Sequence, residues 1–263
     1  MPASPPARAS RICDLLGPST RWTEVACVPE TGSTNADLAD AARHGAQVGR
    51  VLVAEHQTAG RGRFDRRWAS PRGASLSVSL LVRPARPMQE WAWLSILIGM
   101  AVTDAIIAAT GASEGRVSLK WPNDVLVDDL KACGILSERV ETPDGPAAVV
   151  GIGINTHLGA DELPVTTATS LLLAGFDVDK DVVVAGLLAS MGGLLDLWEA
   201  GGDVRAAYRA RCASIGRRLR VVIDPETSLT GVGADIDPQG RLVVELDDGS
   251  TRAFAAGDVV HLR

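Results

Sequence analysis

Between Gly60 and Arg72 the sequence GRGRFDRRWASPR sets five arginines (Arg61, Arg63, Arg66, Arg67, Arg72) against one acid, Asp65, for a local charge of +4. Gly60 and Gly62 let the backbone bend and approach a ligand closely. Guanidinium groups beside exposed backbone N–H groups suit an anion such as a phosphate or carboxylate. Trp68 in the same loop suits stacking of a nucleobase. The spacing is not G-x-x-x-x-G-K-[ST], which excludes a Walker-type phosphate loop. A charge run by itself reads as a solvated surface loop. The interleaved glycines, Trp68 and a strand pattern at each end favour a binding loop.

A second cluster is Lys120-Trp121-Pro122-Asn123-Asp124, with Lys131 following. If 125–127 and 131–135 pair as a hairpin through Asp128-Asp129-Leu130, Lys131 returns beside the WPND turn. Two ammoniums, an amide and a carboxylate then share one end of a sheet. The plainer alternative is that WPND is only a good turn, with Asn and Asp capping backbone groups. Usage bears on the choice. Of 26 basic residues only Lys120, Lys131 and Lys180 are lysines, so a lysine pair here points to a need for a compact ammonium, which a guanidinium does not replace. A third cluster, Gly151-Ile152-Gly153-Ile154-Asn155, lacks the third glycine and following helix of a dinucleotide fingerprint. Glycine in a strand instead marks a close approach of ligand or backbone. His44, His56, His157 and His261 lack metal-ligand spacing, and no G-x-S-x-G elbow occurs.

These groups need a scaffold. The chain has 263 residues, a net charge of −6 and a pI near 5.3, an acidic balance that argues against general nucleic-acid binding. At 46% hydrophobic it can bury a real core. Cys13, Cys27, Cys133 and Cys212 form no C-x-x-C pair, and without a secretory signal they suggest reduced thiols in a cytoplasm. Residues 1–22 read as a disordered, Pro- and Ala-rich tail. Ser33-Thr34-Asn35 opens a helix to about His44, with Thr34 and Asp37 at capping-box spacing. Residues 51–55 form a short strand, and SLSVSLLV (75–82) alternates like a half-buried one. Residues 91–109 are apolar enough to query as a membrane span. The small stripe Ser95, Gly99, Thr103 and the lack of flanking basic clusters favour a buried core helix. Strands at 117–120, 125–127, 131–140 and 147–155 are joined too tightly for parallel crossovers, so they run antiparallel. Helical patterns return at 180–198 and 203–213. From Ser214 short β runs and turn signals read as a small barrel. The expected class is α+β, with a catalytic domain over 23–213 and a C-terminal β domain over 214–263. Residues 60–72 and 156–168 are expected to be mobile without ligand.

In order, Gly32-Ser33-Thr34-Asn35, Gln57-Thr58-Ala59-Gly60-Arg61-Gly62-Arg63 with Trp68, Lys120-Trp121-Pro122-Asn123-Asp124 with Lys131 and Gly134, and Gly151-Ile152-Gly153-Ile154-Asn155 resemble the biotin protein ligase (holocarboxylase synthetase) family over roughly residues 30–160. The resemblance implies a class II aminoacyl-tRNA synthetase-like mixed sheet with helices, followed by an SH3-like β-barrel. It implies that ATP and biotin form biotinyl-5′-AMP, and that biotin then passes to a lysine of a biotin carboxyl carrier domain of an acyl-CoA carboxylase. By the same resemblance Ser33, Thr34, Asn35, Gln57, Arg61, Gly62, Arg63, Lys131 and Gly134 hold biotin. Arg63, Trp68, Lys120, Asn123 and Asn155 hold ATP or the adenylate. Lys131, Arg61 and Asp124 are catalytic, and Asp124 either orients the incoming amine or helps hold Mg²⁺. Phe64 and Asp65 interrupt the basic run often seen in the family loop. About thirty residues precede the Gly-Ser-Thr-Asn motif, so the resemblance is to the form without a DNA-binding domain: no DNA or membrane partner, and a monomer or weak homodimer. A lipoate–protein ligase and a non-enzymatic biotinyl-AMP-binding regulator are the alternatives. QTAGRGR and KWPND favour biotin.

Overall fold

A computed structural model describes residues 5–262 apart from 19, 65, 70, 114 and 225. Seven strands form one mixed sheet: β1 (Glu24–Val28), β2 (Arg50–Ala54), β3 (Ser75–Val82), β4 (Val117–Lys120), β5 (Asp124–Val127), β6 (Leu130–Thr142) and β7 (Gly145–Asn155). Their spatial order is β1-β2-β3-β7-β6-β5-β4. Only β1 and β2 are parallel. The other pairings are antiparallel; from β4 to β7 the short connections require it. The β5–β6 hairpin turns through Asp128 and Asp129 at φ 50° and 63°, the left-handed pair of a tight hairpin. Strand β1 has no counterpart in the sequence reading.

Three helices cover the sheet. On one face lie α3 (Trp93–Thr110) and α4 (Lys180–Glu199), packed on each other and on Leu76, Val78, Leu80, Ile135, Val150, Ile152 and Ile154. On the other lies α2 (Thr34–Arg43), whose Leu38, Ala39 and Ala42 meet Leu81, Val140, Ala147 and Val149. Both α3 and α4 are long and apolar enough to span a bilayer by length and composition. Within this fold 67% and 50% of their respective windows are buried. Thr103 satisfies its hydroxyl on the Gly99 carbonyl at 2.9 Å, and Gly99 faces Leu119 and Ile135.

Three expectations need correction. Strand β3 is buried along its whole length rather than half-buried. Ser75, Ser77 and Ser79 lie under the α2 side instead of facing water. Second, residues of the expected tail form a helix, α1 (Ala9–Leu16). Ile12 is fully buried, the Ala7 N–H donates to Glu55 Oε1 at 2.8 Å, and the Arg8 N–H donates to Asp181 Oδ1 at 2.7 Å. An eight-residue helix has little stability of its own; contacts with α4 and β1 hold it. Third, the cap of α2 is Ser33, whose hydroxyl accepts from Ala36 N–H at 3.4 Å. Asp37 bonds the Thr31 hydroxyl instead of closing a box on Thr34.

After α5 (Arg205–Arg211), strands β8 (Arg218–Val222), β9 (Ser228–Ile236), β10 (Leu242–Leu246), β11 (Thr251–Phe254) and β12 (Asp258–His261) make a five-stranded antiparallel sheet, in the order β11-β10-β9-β8-β12. Its apolar face joins the main core. The indoles of Trp93 and Trp121 donate to the carbonyls of Pro238 (2.9 Å) and Gly240 (3.0 Å) at the joint.

Candidate active site

The middle of the large sheet carries a narrow cleft, floored by Gly134, Gly151 and Gly153 on the paired strands β6 and β7. One wall is the N-terminus of α2. Gln57 Oε1 accepts from the Thr34 N–H at 2.8 Å and lies 3.1 Å from the Thr34 hydroxyl. The Ser79 hydroxyl lies 2.7 Å from Thr34 Oγ1 and 2.6 Å from Asn35 Oδ1. The Asn35 amide donates to Glu138 Oε2 at 2.7 Å and to the Leu136 carbonyl at 3.2 Å. Ser33, Thr34 and Asn35 are buried, so this is a preorganised polar wall rather than a solvated helix end. Glycine at 151 is a packing requirement: a Cβ there would stand 2.3 Å from Asn35 Oδ1.

The opposite wall is the arginine loop. It folds back as a narrow hairpin, with Trp68 N–H on the Gly60 carbonyl at 3.0 Å and Gly62 N–H on the Arg66 carbonyl at 2.7 Å. Trp68 lies on the glycine floor, where a Cβ at Gly153 would stand 2.2 Å from its Cε2 and one at Gly134 3.0 Å from its Cζ3. The space left in the cleft is about 60 Å³, room for only a few waters. The indole N–H of Trp68 is buried and makes no hydrogen bond, an uncommon arrangement for such a donor. Arg61 pairs with Glu138 at 2.9 Å. Arg63 donates to Asn123 Oδ1 at 3.1 Å and to the Gly257 carbonyl at 3.3 Å, and Arg66 pairs with Asp258. The loop thus touches the C-terminal sheet. Burial lowers the pKa of the Arg63 guanidinium, against the pull of Asp258 and Asp124.

At the end of the cleft the WPND turn meets β6. Lys131 Nζ stands 2.6 Å from Asp124 Oδ1, and Lys120 Nζ stands 3.4 Å from Asp124 Oδ2. Asn123 donates to the Ile135 carbonyl at 2.7 Å. The hairpin geometry read from the sequence therefore brings the two ammoniums, the amide and the carboxylate together. The start of β6 is fixed from outside by Lys131 N–H on the Thr167 carbonyl (2.8 Å) and Thr169 N–H on the Lys131 carbonyl (2.9 Å). Beside them the Cys133 thiol is fully buried, and burial pushes its pKa up. Behind the turn, Ser214 Oγ accepts from Trp121 N–H at 3.2 Å and lies 2.9 Å from His261 Nε2. Burial, helped by the charges of Lys120 and Arg217, lowers His261 to about 4.

Of the residues named from the sequence, Ser33, Thr34, Asn35, Gln57, Arg61, Gly62, Arg63, Trp68, Asn123, Lys131 and Gly134 line this cleft. Lys120 and Asp124 stand one step behind Lys131. Asn155 is not brought to the cleft: it is buried, and its amide holds the Thr169 carbonyl at 2.9 Å. Asp65 lies outside the described residues. Asp124 does not fit Mg²⁺, because an ammonium stands at each of its oxygens and, among the described residues, no group of three metal-binding side chains occurs. Glu138 and Ser79 are missed by sequence reasoning. Their only sequence signal is a place on alternating strands next to the glycines.

Residues 27–155 match the Biotin/lipoate A/B protein ligase family, and residues 214–262 match the Biotin protein ligase C terminal domain. The chain is similar to the biotin–[acetyl-CoA-carboxylase] ligase of Mycobacterium tuberculosis, with 41% identity over 95% of this chain and 93% of that protein. It is similar to the bifunctional ligase/repressor BirA of Escherichia coli, with 34% identity over 89% of this chain and 73% of that one. Among solved structures, the biotin protein ligase of Aquifex aeolicus in complex with biotin and ATP superposes with a TM-score of 0.76. The match has 25% identity and covers 92% of this chain and 100% of that one.

Proposed function

This chain belongs to the biotin/lipoate A/B protein ligase family, and we propose from that premise how its cleft carries out biotin ligation. The activity is that of a ligase joining biotin to the carrier protein of acetyl-CoA carboxylase by way of biotinyl-5′-AMP. The observation that carries the reading is the cleft itself. It has a polar wall of buried Thr34, Asn35 and Ser79 with half-buried Gln57, a glycine floor, and Lys131 and Arg63 at one end.

Biotin's ureido ring faces the polar wall, and its chain lies along Gly134 and Gly153 with the carboxylate toward Lys131. A carboxylate oxygen attacks the α-phosphorus of ATP, the bond to the β-phosphate oxygen breaks, and pyrophosphate leaves. Lys131 and Arg63 stabilise the charge that develops there. Preorganised cations of this kind act by position and electrostatics, with no covalent enzyme intermediate. Trp68 leaves the glycine floor as ligand enters and covers the adenine. Its unpartnered indole N–H and the small space beside it support a side chain that can move off the floor. In the second step the carrier lysine amine attacks the acyl carbon of biotinyl-AMP and AMP leaves. Asp124, beside Lys131, is placed to orient that amine. Asp124, faced by two ammoniums, would not hold Mg²⁺; the ion would be held by the ATP phosphates and would offset their charge. Arg61 acts through Glu138 and Asn35 on the polar wall, and Asn155 acts through Thr169 on the start of β6. The cysteines described in the structure are free, which supports a cytoplasmic location.

The test is incubation with biotin, ATP, Mg²⁺ and an apo carrier domain, read by the mass of the carrier. Biotinylation at one lysine is expected. Lipoylation at that lysine in a parallel reaction with lipoate, without biotinylation, would transfer the chain to the other branch of its family.

A further inference from the structure

Of the three lysines, Lys131 lines the cleft and Lys120 stands one step behind it; the third, Lys180, lies outside the cleft. We propose that Lys180 is a positioning residue for the ligation reaction, a staple that joins the two roots of the arginine loop. This rests on the reading of the cleft given above.

The Lys180 side chain is 1% exposed. Its ammonium donates to Glu55 Oε2 and, at 3.1 Å, to the carbonyl of Gly73. Glu55 is the first residue after β2, and Gly73 stands two residues before β3. The loop between them contains Gln57, Arg61, Arg63 and Trp68. A single cation therefore bonds to both points where the loop leaves the sheet. Other contacts fix the same roots. Ala7 N–H occupies the second oxygen of Glu55, and the Ala74 carbonyl accepts from His157 N–H at 2.8 Å.

The needs of α4 do not account for this lysine. Lys180 is the first residue of α4, where the helix dipole disfavours a cation, and taking an ammonium out of water is costly unless it is paired and hydrogen-bonded. Its bonds are spent across chain segments instead. Nor does general basic usage account for it in a chain that otherwise writes arginine. An ammonium is a compact donor that bonds two acceptors from different segments, whereas a guanidinium is a wide planar fork. The function of the link follows from what it spans. With both roots fixed, the loop arginines and Trp68 return to one place over the cleft. With one root free, the loop spends less time in the competent arrangement, and apparent ligand affinity falls by that fraction.

The test is the full-length Glu55→Gln/Lys180→Met variant, which removes both buried charges while the new side-chain amide oxygen still accepts from Ala7 N–H. Pyrophosphate release, thermal denaturation and trypsin cleavage after Arg61–Arg72 are measured beside wild type. Wild-type biotin-dependent pyrophosphate release establishes the reading of the cleft independently of the variant. We expect KM for biotin and ATP to rise about tenfold with kcat within about twofold, and ligand-free cleavage in the loop to quicken about tenfold. A smaller folded fraction would lower kcat and leave KM alone. Unchanged KM and unchanged loop cleavage in a folded variant would overturn the proposal, as would a fall in kcat alone. If the double variant does not fold, Glu55→Gln by itself decides. It keeps the side-chain volume and weakens one root of the staple, and should show the same KM-weighted loss and faster loop cleavage.

Discussion

The two walls of the cleft are built by opposite means. The sheet wall is buried at Thr34, Asn35 and Ser79, and hydrogen bonds tie these to the half-buried Gln57 and Glu138. The loop wall is held along its length by exposed ion pairs. Side-chain exposure is 47% for Arg61, 59% for Arg66 and 67% for Arg72, in pairs with Glu138, Asp258 and Glu30 respectively. Exposed pairs of this kind are worth about 0–1 kcal/mol each and weaken with salt, whereas a buried network is costly to break. On the function proposed above the difference separates two tasks: the rigid wall would recognise the ligand, and the releasable wall would close on it and bring charge to the reacting phosphate.

The largest effect is expected where the walls meet. Lys131→Ala should lower the rate of pyrophosphate release about 10²–10³-fold, roughly 3–4 kcal/mol of transition-state stabilisation. The melting temperature should hardly move, because Lys131 is one-third exposed and Lys120 still faces Asp124. Lys131→Arg should fail nearly as badly, since the planar fork takes space the α-phosphate needs. Near-wild-type turnover in the arginine variant would remove the special role given to the ammonium.

Two glycines compare the walls directly. A Cβ at Gly151 meets the buried Asn35 amide at 2.3 Å, and one at Gly153 meets the Trp68 ring at 2.2 Å. Gly151→Ala should cost about 1–3 kcal/mol of stability, seen as a lower melting temperature and weaker biotin binding. Gly153→Ala should push the loop off the floor and leave stability within about 0.5 kcal/mol. Equal losses of stability would mean that the loop is as rigid as the sheet. Trp68→Ala should then weaken ATP by about 1–3 kcal/mol, the worth of a base stack, with a smaller effect on biotin, each titrated separately.

Solution conditions should act on the walls differently. Burial holds the folded-state pKa of His261 near 4, below its ordinary 6.5. Between these values the unfolded chain binds a proton that the folded chain refuses, so stability falls as pH drops from 6.5 to 4. His261→Asn should flatten that slope in a series of melting curves. Salt should reach the loop instead. At high ionic strength trypsin should cut faster after Arg61–Arg72 in the free protein, with little change once biotinyl-AMP is bound. A loop equally protected at all salt concentrations would contradict the role given to its ion pairs.

Much of the site is legible in the sequence because its chemistry is local. KWPND and Lys131 are brought together by a hairpin whose turn the sequence spells out, and GRGR with Trp68 lies in one loop. What stays hidden depends on distant partners. Glu138 meets Asn35 across 103 positions and Lys180 meets Glu55 across 125. Neither stands out in a window of the chain. The serines of β3 alternate like a solvent face, and only the placement of α2 shows that they are buried. The helix α1 depends on Asp181 and Glu55 far along the chain, so its own composition reads as a tail.

The central claim is that the buried polar wall selects biotin and that Lys131 with the loop activates it as an adenylate. The most direct measurement is ATP–pyrophosphate exchange by the wild-type protein without carrier, with biotin, lipoate or neither present. The account predicts exchange that depends on biotin, is absent with lipoate, and is lost in Lys131→Ala while biotin still protects the polar wall from hydrogen exchange. Exchange driven by lipoate, or none with biotin in a protein that binds it, would contradict the account.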